Sequence, residues 1–263
     1  MTYQGKTAPL LTKTSSMGCW SWSVPAGPEG SCVYATNYGI CKSCYARANR
    51  YNTDVVAKAQ WIRYQWWKTL VKDDPGAVIN VLSYAINRYC TNKYFRIYDS
   101  GDISEPRDYI IWSGIVKNCK DIKFWMPTRT WRSKSKAWQE GLEALAALPN
   151  ITVRGSALEF DEPIEKIYAL ERPLPVSSVS TSTQTVPDGW ALCPKSENGT
   201  SCIEENCRVC WDSPEVPVTY LVHGMMGRHK KFEITDKMMR QRIRFKEEIV
   251  NLTVKGENNV GSK

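Results

Sequence analysis

From residue 94 onward the hydrophobic period switches repeatedly between two and about 3.6, and this alternation limits the fold more than any other feature. Residues 94–98 (Tyr-Phe-Arg-Ile-Tyr) and 122–126 (Ile-Lys-Phe-Trp-Met) read as strands, as do 151–154, 175–179 and 218–222. Between them, residues 106–118 read as a helix with Ile111, Ile115 and Cys119 on one face. Residues 134–148 align Trp138, Leu142, Leu145 and Leu148 in the same way. Strands separated by helices of about a dozen residues predict βαβ units and a parallel sheet. Some five such units suit an open sheet or an incomplete barrel. The fold class expected is α/β: a partial, TIM-like barrel of parallel strands with a cysteine-rich loop at each end.

Two helices are expected before the first of these strands. The first spans 54–72, where Val55, Ala59, Ile62, Trp66 and Leu70 step by four, three, four and four. Asp74-Pro75 then opens a second helix to about Tyr89, with Asp as N-cap and Pro at the first position. Residues 235–250 make a basic closing helix, and 257–263 a frayed tail. Residues 1–52 are rich in Gly, Ser and Pro and hold four cysteines. They read as a loop-rich segment ordered by a bound ion or cluster. No internal repeat divides the chain, so residues 1–263 are expected to form one domain.

Composition decides how to read the cysteines. Of 263 residues, 42% are hydrophobic and 24% charged, which is the make-up of a folded chain. No apolar run approaches the roughly 18 residues of a membrane span, and no signal peptide is visible. The expectation is therefore a soluble, cytoplasmic protein with no membrane partner. In that setting ten clustered cysteines favour metal or iron–sulfur ligation over disulfides. The sequons at Asn150, Asn198 and Asn251 then carry no meaning.

The strongest cluster is C-terminal. Cys193-Pro is followed after eight residues by Cys202, after four by Cys207 and after two by Cys210, which precedes a Trp. Four thiolates so placed can surround one zinc ion or one [4Fe–4S] cube. The flanking Pro and Trp, as an apolar wall, tilt the reading toward iron–sulfur. The N-terminal cluster is Cys32, eight residues, Cys41, two residues and Cys44, with Cys19 a candidate fourth ligand upstream. Three thiolates on a [4Fe–4S] cluster would leave one iron open, whereas a fourth would close the site. Cys90 and Cys119 stand alone and read as core thiols.

Polar residues follow each strand, where sites form in parallel α/β proteins. They are Tyr98-Asp99-Ser100-Gly101-Asp102, Pro127-Thr128-Arg129, Arg154-Gly155-Ser156 and 180–184. Together they predict a polar pocket on one rim, with Asp102 and Arg129 as its charged groups. His223 and His229 flank a Gly-Met-Met-Gly turn and could complete a metal site only if that turn allowed it. The net charge of +8 and the run Arg228-His-Lys-Lys admit nucleic acid as a partner, although a solvated helix face explains them as well. Most of the 11 Trp lie at core positions.

The order Cys41-x-x-Cys44-Tyr-Ala, Ser100-Gly101-Asp102 after a strand, Cys193-Pro and Cys207-x-x-Cys210-Trp resembles a bacteriophage family labelled gene product 88-like, over about residues 10–212. The resemblance implies a phage-encoded protein acting in the cytoplasm of an infected host cell. The layout also looks, more loosely, like that of radical S-adenosylmethionine (radical SAM) enzymes. By that likeness Cys32, Cys41 and Cys44 would bind a [4Fe–4S] cluster, and Ser100, Gly101 and Asp102 would hold the methionine amino group. This chain departs from that pattern in the eight residues between Cys32 and Cys41, in Asp for Glu, and in two helices before the first clear strand.

The leading expectation is an iron–sulfur protein with one or two [4Fe–4S] clusters, S-adenosylmethionine as a candidate cofactor, and a small molecule or host protein as partner. The cysteines from the two ends of the chain are expected to lie near one another. The alternative is a zinc-stabilised nucleic-acid-binding protein without catalysis.

Overall fold

A computed structural model describes residues 1–3, 5–162, 173–222 and 235–257, with side chains to 249 in the last stretch. The alternation read in the sequence is present. Strands β1 (Thr2–Tyr3) and β2 (Lys6–Thr7) form a small ribbon. The main sheet has eight strands: β3 (Thr12–Thr14), β4 (Cys19–Ser23), β5 (Tyr94–Ser100), β6 (Lys123–Thr128), β7 (Ile151–Phe160), β8 (Val176–Ser180), β9 (Ala191–Leu192) and β10 (Val218–Leu221). Their order is β3-β4-β5-β6-β7-β8-β10-β9, and every pairing is parallel except β3 with β4.

Strands β4 to β8 follow one another in chain order, so each crossover steps the same way across the sheet. Right-handed crossovers of that kind place their helices on one face. These helices are α2 (Asp54–Asp73) and α3 (Pro75–Tyr89) after β4, α4 (Pro106–Asn118) after β5, and α5 (Lys136–Ala146) after β6; a short α1 (Gly39–Lys42) precedes them. Period-two burial matches that layering. Trp22, Phe95, Ile97, Phe124, Met126 and Val153 join helix residues in the large core, whereas Trp125 packs on the opposite face with Trp211. The sheet ends in β3 on one side and β9 on the other, and no pairing among the described residues closes it into a barrel.

Local signals set the helix ends. Asp74 Oδ1 accepts the Ala77 amide at 2.9 Å, with Pro75 in the first turn. A reciprocal Glu105–Asp108 capping box and Pro106 start α4. Trp22, Trp67 and Trp112 form the centre of the core, with ring centroids 5.5 Å apart for both Trp22–Trp67 and Trp67–Trp112. Cys90 and Cys119 are fully buried caps of α3 and α4, the core thiols expected.

Two expectations change. The inward face of α2 is wider than the stripe read in sequence: Ala57, Trp61, Ile62, Tyr64, Trp67 and Val71 are buried, Ala59, Trp66 and Leu70 pack against the core part-buried, and Val55 faces solvent. Residues 1–52 are not all loop, since Cys-Trp-Ser-Trp-Ser at 19–23 forms a strand paired on both sides, with β3 and β5. The C-terminal helix α8 (Asp236–Glu257) packs on α2 and buries Phe245 and Ile249. No helix among the described residues is long and apolar enough to cross a membrane. His223, His229, the Arg228 run and residues 258–263 lie outside the described residues.

Candidate functional site

Because β4 precedes them, Cys32, Cys41 and Cys44 lie in a β-to-α loop at the carboxyl edge of the parallel sheet. The loop is tied to the end of β5. The Val24 amide donates to the Ser100 carbonyl at 3.0 Å, and the Ser100 hydroxyl returns a bond to the Val24 carbonyl at 2.9 Å. Ser31 Oγ donates to the Pro25 carbonyl and accepts the Asp102 amide, each at 3.0 Å. Gly101 sits between these ties at φ +93°, where a Cβ would overlap Val24 and Ser31.

A second tie runs to the C-terminal helix. Glu29 takes Arg47 through both carboxylate oxygens at 3.2 Å and Arg242 Nε at 2.8 Å. Arg242 is 1% exposed and also donates to the carbonyls of Ala26 and Ala46. Asn52 and Gln241 exchange two further bonds, each 3.2 Å. Both ends of the cysteine loop are thereby fastened to α8.

Burial pushes the Cys32 thiol well up, helped by the charge of Asp102 and by Cys44 and opposed by Arg129. Burial raises Cys44 as well, against the lowering influence of Arg129. Of the two polar groups named from the sequence, Asp102 is thus within electrostatic reach of Cys32, and Arg129 of Cys32 and Cys44. Their roles differ from expectation. Asp102 accepts from the Ile103 amide (2.8 Å), the Thr128 hydroxyl (2.7 Å) and the Arg129 amide (2.9 Å). Burial lifts its carboxyl to about 6 against those three bonds. With Ser100 also bonded to the backbone, Ser100 and Asp102 join the ends of β4, β5 and β6 rather than presenting free groups to an amine. Arg129 does present one. Its Nη2 donates to the Ala157 carbonyl at 3.2 Å, while its buried Nε–H has no partner.

Cys19 does not join the trio. It begins β4, packs with Met17, Trp125 and Trp211, and feels Cys202 and Arg208. Burial pushes its thiol up to about 12.

Cys193, Cys202, Cys207 and Cys210 gather elsewhere. They line one cavity of about 30 Å³, walled otherwise by Ala191, Leu192, Pro194, Val209, Trp211 and Val218. Burial raises Cys193 and Cys202, and raises Cys210 to about 11. Helix α6 (Pro194–Asn198) and helix α7 (Val209–Asp212) flank this group. Helix α7 lies under the amino ends of the strands. Trp211 Nε1 donates to the Phe95 carbonyl, Thr152 to the Trp211 carbonyl, and Lys123 pairs with Asp212. The two cysteine sets do not meet as expected: Cys202 and Cys210 pack with Cys19, Trp125 and Trp211, and Cys193 follows β9, whereas Cys32 and Cys44 lie near Asp102 and Arg129.

Arg154 is corrected too. Strand β7 continues to Phe160, so this side chain is mid-strand and fully buried instead of at a rim. It donates to the carbonyls of Val209 (3.1 Å), Ser213 (2.7 Å) and Val216 (2.7 Å), fastening the C-terminal cysteine loop. The 180–184 segment does follow a strand: Ser180 ends β8 and bonds Thr219, while Thr181, Thr183 and Gln184 are exposed and Thr181 bonds Asp161.

Sequence reasoning missed one polar cluster between the two cysteine groups. Arg96 donates to Asp99 Oδ1 (3.2 Å) and to Tyr45 OH (3.0 Å), and Tyr51 OH donates to Asp99 Oδ2 (2.7 Å). Arg96 also lies 4.6 Å from the centre of the Trp125 ring. Its partners come from segments 45–51 and 96–99, and only the Tyr-x-x-x-x-x-Tyr after Cys44 hinted at it.

Among the described residues, no three His, Cys, Asp or Glu side chains are set to hold a single metal ion. What fold and site define is an open, singly wound α/β sheet with two separate thiol-rich loops. The chain belongs to the Gene product 88 family, whose profile matches residues 2–231. This is the bacteriophage family that the cysteine and Ser-Gly-Asp motifs resemble. No curated protein and no solved structure matches the chain, so the looser likeness to radical SAM enzymes gains no support from them.

Proposed function

We propose that the protein binds an iron–sulfur cluster through Cys32, Cys41 and Cys44, with one iron left for a small ligand. The observation that carries this is the placement of three thiols, without Cys19, at the carboxyl edge of a singly wound parallel sheet beside an unpartnered Arg129 N–H. In this reading the open sheet is an incomplete TIM-like barrel. The donor set suits the group: three soft thiols, with Asp102 already bonded to the backbone and to Thr128.

A cluster with an open iron would supply one-electron reduction of whatever ligand it binds. The protein's own groups do the rest. Arg129 offers its guanidinium to a ligand carboxylate. Asp102 holds the Arg129 backbone and so aims that side chain. The Glu29 tie keeps the thiols at the sheet edge. S-adenosylmethionine, with a carboxylate beside an amine, is the first cofactor to test. The alternative reading is a zinc-stabilised nucleic-acid binder: Arg242 pairs with buried Glu29, but Lys237, Arg240, Arg244 and Lys246 of α8 are exposed.

The test is anaerobic purification with iron, sulfide and zinc counts, then reduction and electron paramagnetic resonance with and without S-adenosylmethionine. Iron and sulfide that survive Cys19→Ala but fall in Cys32→Ala support the reading. Loss of the same centre in Cys19→Ala refutes the open-iron assignment.

A further inference from the structure

The C-terminal cysteines carry an inference that does not depend on the trio. We infer that Cys193, Cys202, Cys207 and Cys210 form a second, closed [4Fe–4S] centre, whose role is to fasten the 190–222 segment under the amino ends of the sheet.

Three observations lead there. First, all four cysteines border one cavity of about 30 Å³ whose six other wall residues are apolar. Four thiolates can hold either one zinc ion or one [4Fe–4S] cube. A cube spreads its charge over a larger body than a single tetrathiolate zinc does, so an apolar wall suits it better.

Second, the backbone around the cavity is already fixed. The Cys193 amide donates to the Thr219 carbonyl, Cys202 to Ser16 and Cys207 to Cys202, each at 2.9 Å. Arg154 fastens 209–216 from the sheet. Arg208 donates to the carbonyls of Met17, Cys202 and Cys207 and lies over the Tyr94 ring. The Tyr220 hydroxyl is 3.3 Å from Cys210 Sγ, in reach to hydrogen-bond a bound thiolate. Such outer partners are what a metal-bound thiolate requires.

Third, a segment with little regular structure is held here. Between β9 and β10 the described chain has only two short helices and turns, yet it covers Trp125 and the starts of β5, β6 and β7. Four metal–sulfur bonds would add to those hydrogen-bond ties by joining positions 193, 202, 207 and 210 across the segment, and all four ligands coming from the protein leaves no open iron. Its place against Trp125 and Trp211, apart from Asp102 and Arg129, suits a fastener more than a second reaction site.

The test is the full-length triple variant Cys32→Ala/Cys41→Ala/Cys44→Ala, purified anaerobically beside the wild type and Cys207→Ala. The inference expects about four irons and four sulfides in the triple variant, with an electron paramagnetic resonance signal unmoved by S-adenosylmethionine. It also expects Cys207→Ala to become cleavable by protease between 190 and 215 while the triple variant does not. A triple variant without iron, or with one zinc and no sulfide, overturns it. Should the variant not fold, the wild type decides: about eight irons per chain supports two centres, and about four irons whose reduced signal shifts wholly with S-adenosylmethionine contradicts the closed one. About four irons that stay in the triple variant would uphold this centre and sink the trio's.

Discussion

Changing Glu29 to Gln should cost about 3–5 kcal/mol, the usual result of stripping one partner from a buried ion pair. The structure explains why. Glu29 and Arg47 side chains are each 8% exposed and Arg242 is 1% exposed. One carboxylate thus neutralises one of two guanidiniums and hydrogen-bonds both. At an effective dielectric near 20, each close pair is worth roughly 4 kcal/mol before desolvation. The amide of the E29Q variant would keep one acceptor oxygen, turn an N–H toward a guanidinium, and leave two buried cations facing each other. With a urea slope near 3 kcal/mol per molar for a chain of this size, the midpoint should fall by about 1–2 M. Arg47→Met is the contrasting change. It leaves Glu29 with Arg242 as a neutral pair and should cost less than half as much. Urea unfolding followed by Trp fluorescence measures both. An E29Q midpoint within about 0.3 M of wild type, or an Arg47→Met loss equal to it, would refute the argument that this triad carries the loop.

Three other changes test separate parts of the account. Gly101→Ala should lose about 1–3 kcal/mol from the positive φ alone and more from overlap with Val24 and Ser31, and should release iron held by the trio; wild-type stability would show that the turn is not constrained. Arg154→Met strands the carbonyls of Val209, Ser213 and Val216, at about 1–3 kcal/mol each when they stay dry, so a loss above about 3 kcal/mol is expected in urea, and one below about 1 would contradict the clamp. Asp161 is pushed up by partial burial, but bonds from Thr181 and Thr185 outweigh that and hold its carboxyl below the ordinary 3.8. Its ionised form is therefore favoured by folding: the contribution is present above pH 3.8 and fades as pH falls through the lower folded value. Asp161→Asn should thus lower Tm at pH 7 by an amount that shrinks below about pH 3.8, and a gap unchanged by pH would contradict this.

Much of the fold was legible because its elements carry their own periods. The strands from Tyr94, Lys123, Ile151, Val176 and Val218 begin within one residue of where alternation placed them. Strand β4 escaped because Gly, Ser and Pro around it signal loop, although Trp20 and Trp22 alternate with small residues in the manner of a strand. That omission hid the point that the N-terminal cysteines follow a strand and so reach the carboxyl edge. The wider buried face of α2, and the exposure of Val55, have a plain cause. Val55 belongs to the first turn, beyond the core, while polar Gln60 and Arg63 are buried because they bond Ser23. Buried arginines were the hardest to see. Arg154 and Arg242 bind carbonyls far away in sequence, and composition assigns such residues to the surface. Of the site, the cysteine groupings and the pair Asp102 and Arg129 could be read from spacing. That the two groups lie apart, and that Asp102 is a strut, depended on tertiary contacts.

The most direct test is the metal content of the wild-type chain, purified without oxygen and assayed for iron, acid-labile sulfide and zinc in one sample. The account predicts a brown protein with iron and sulfide in equal amounts, about eight of each per chain. A colourless protein holding stoichiometric zinc and no sulfide would contradict it.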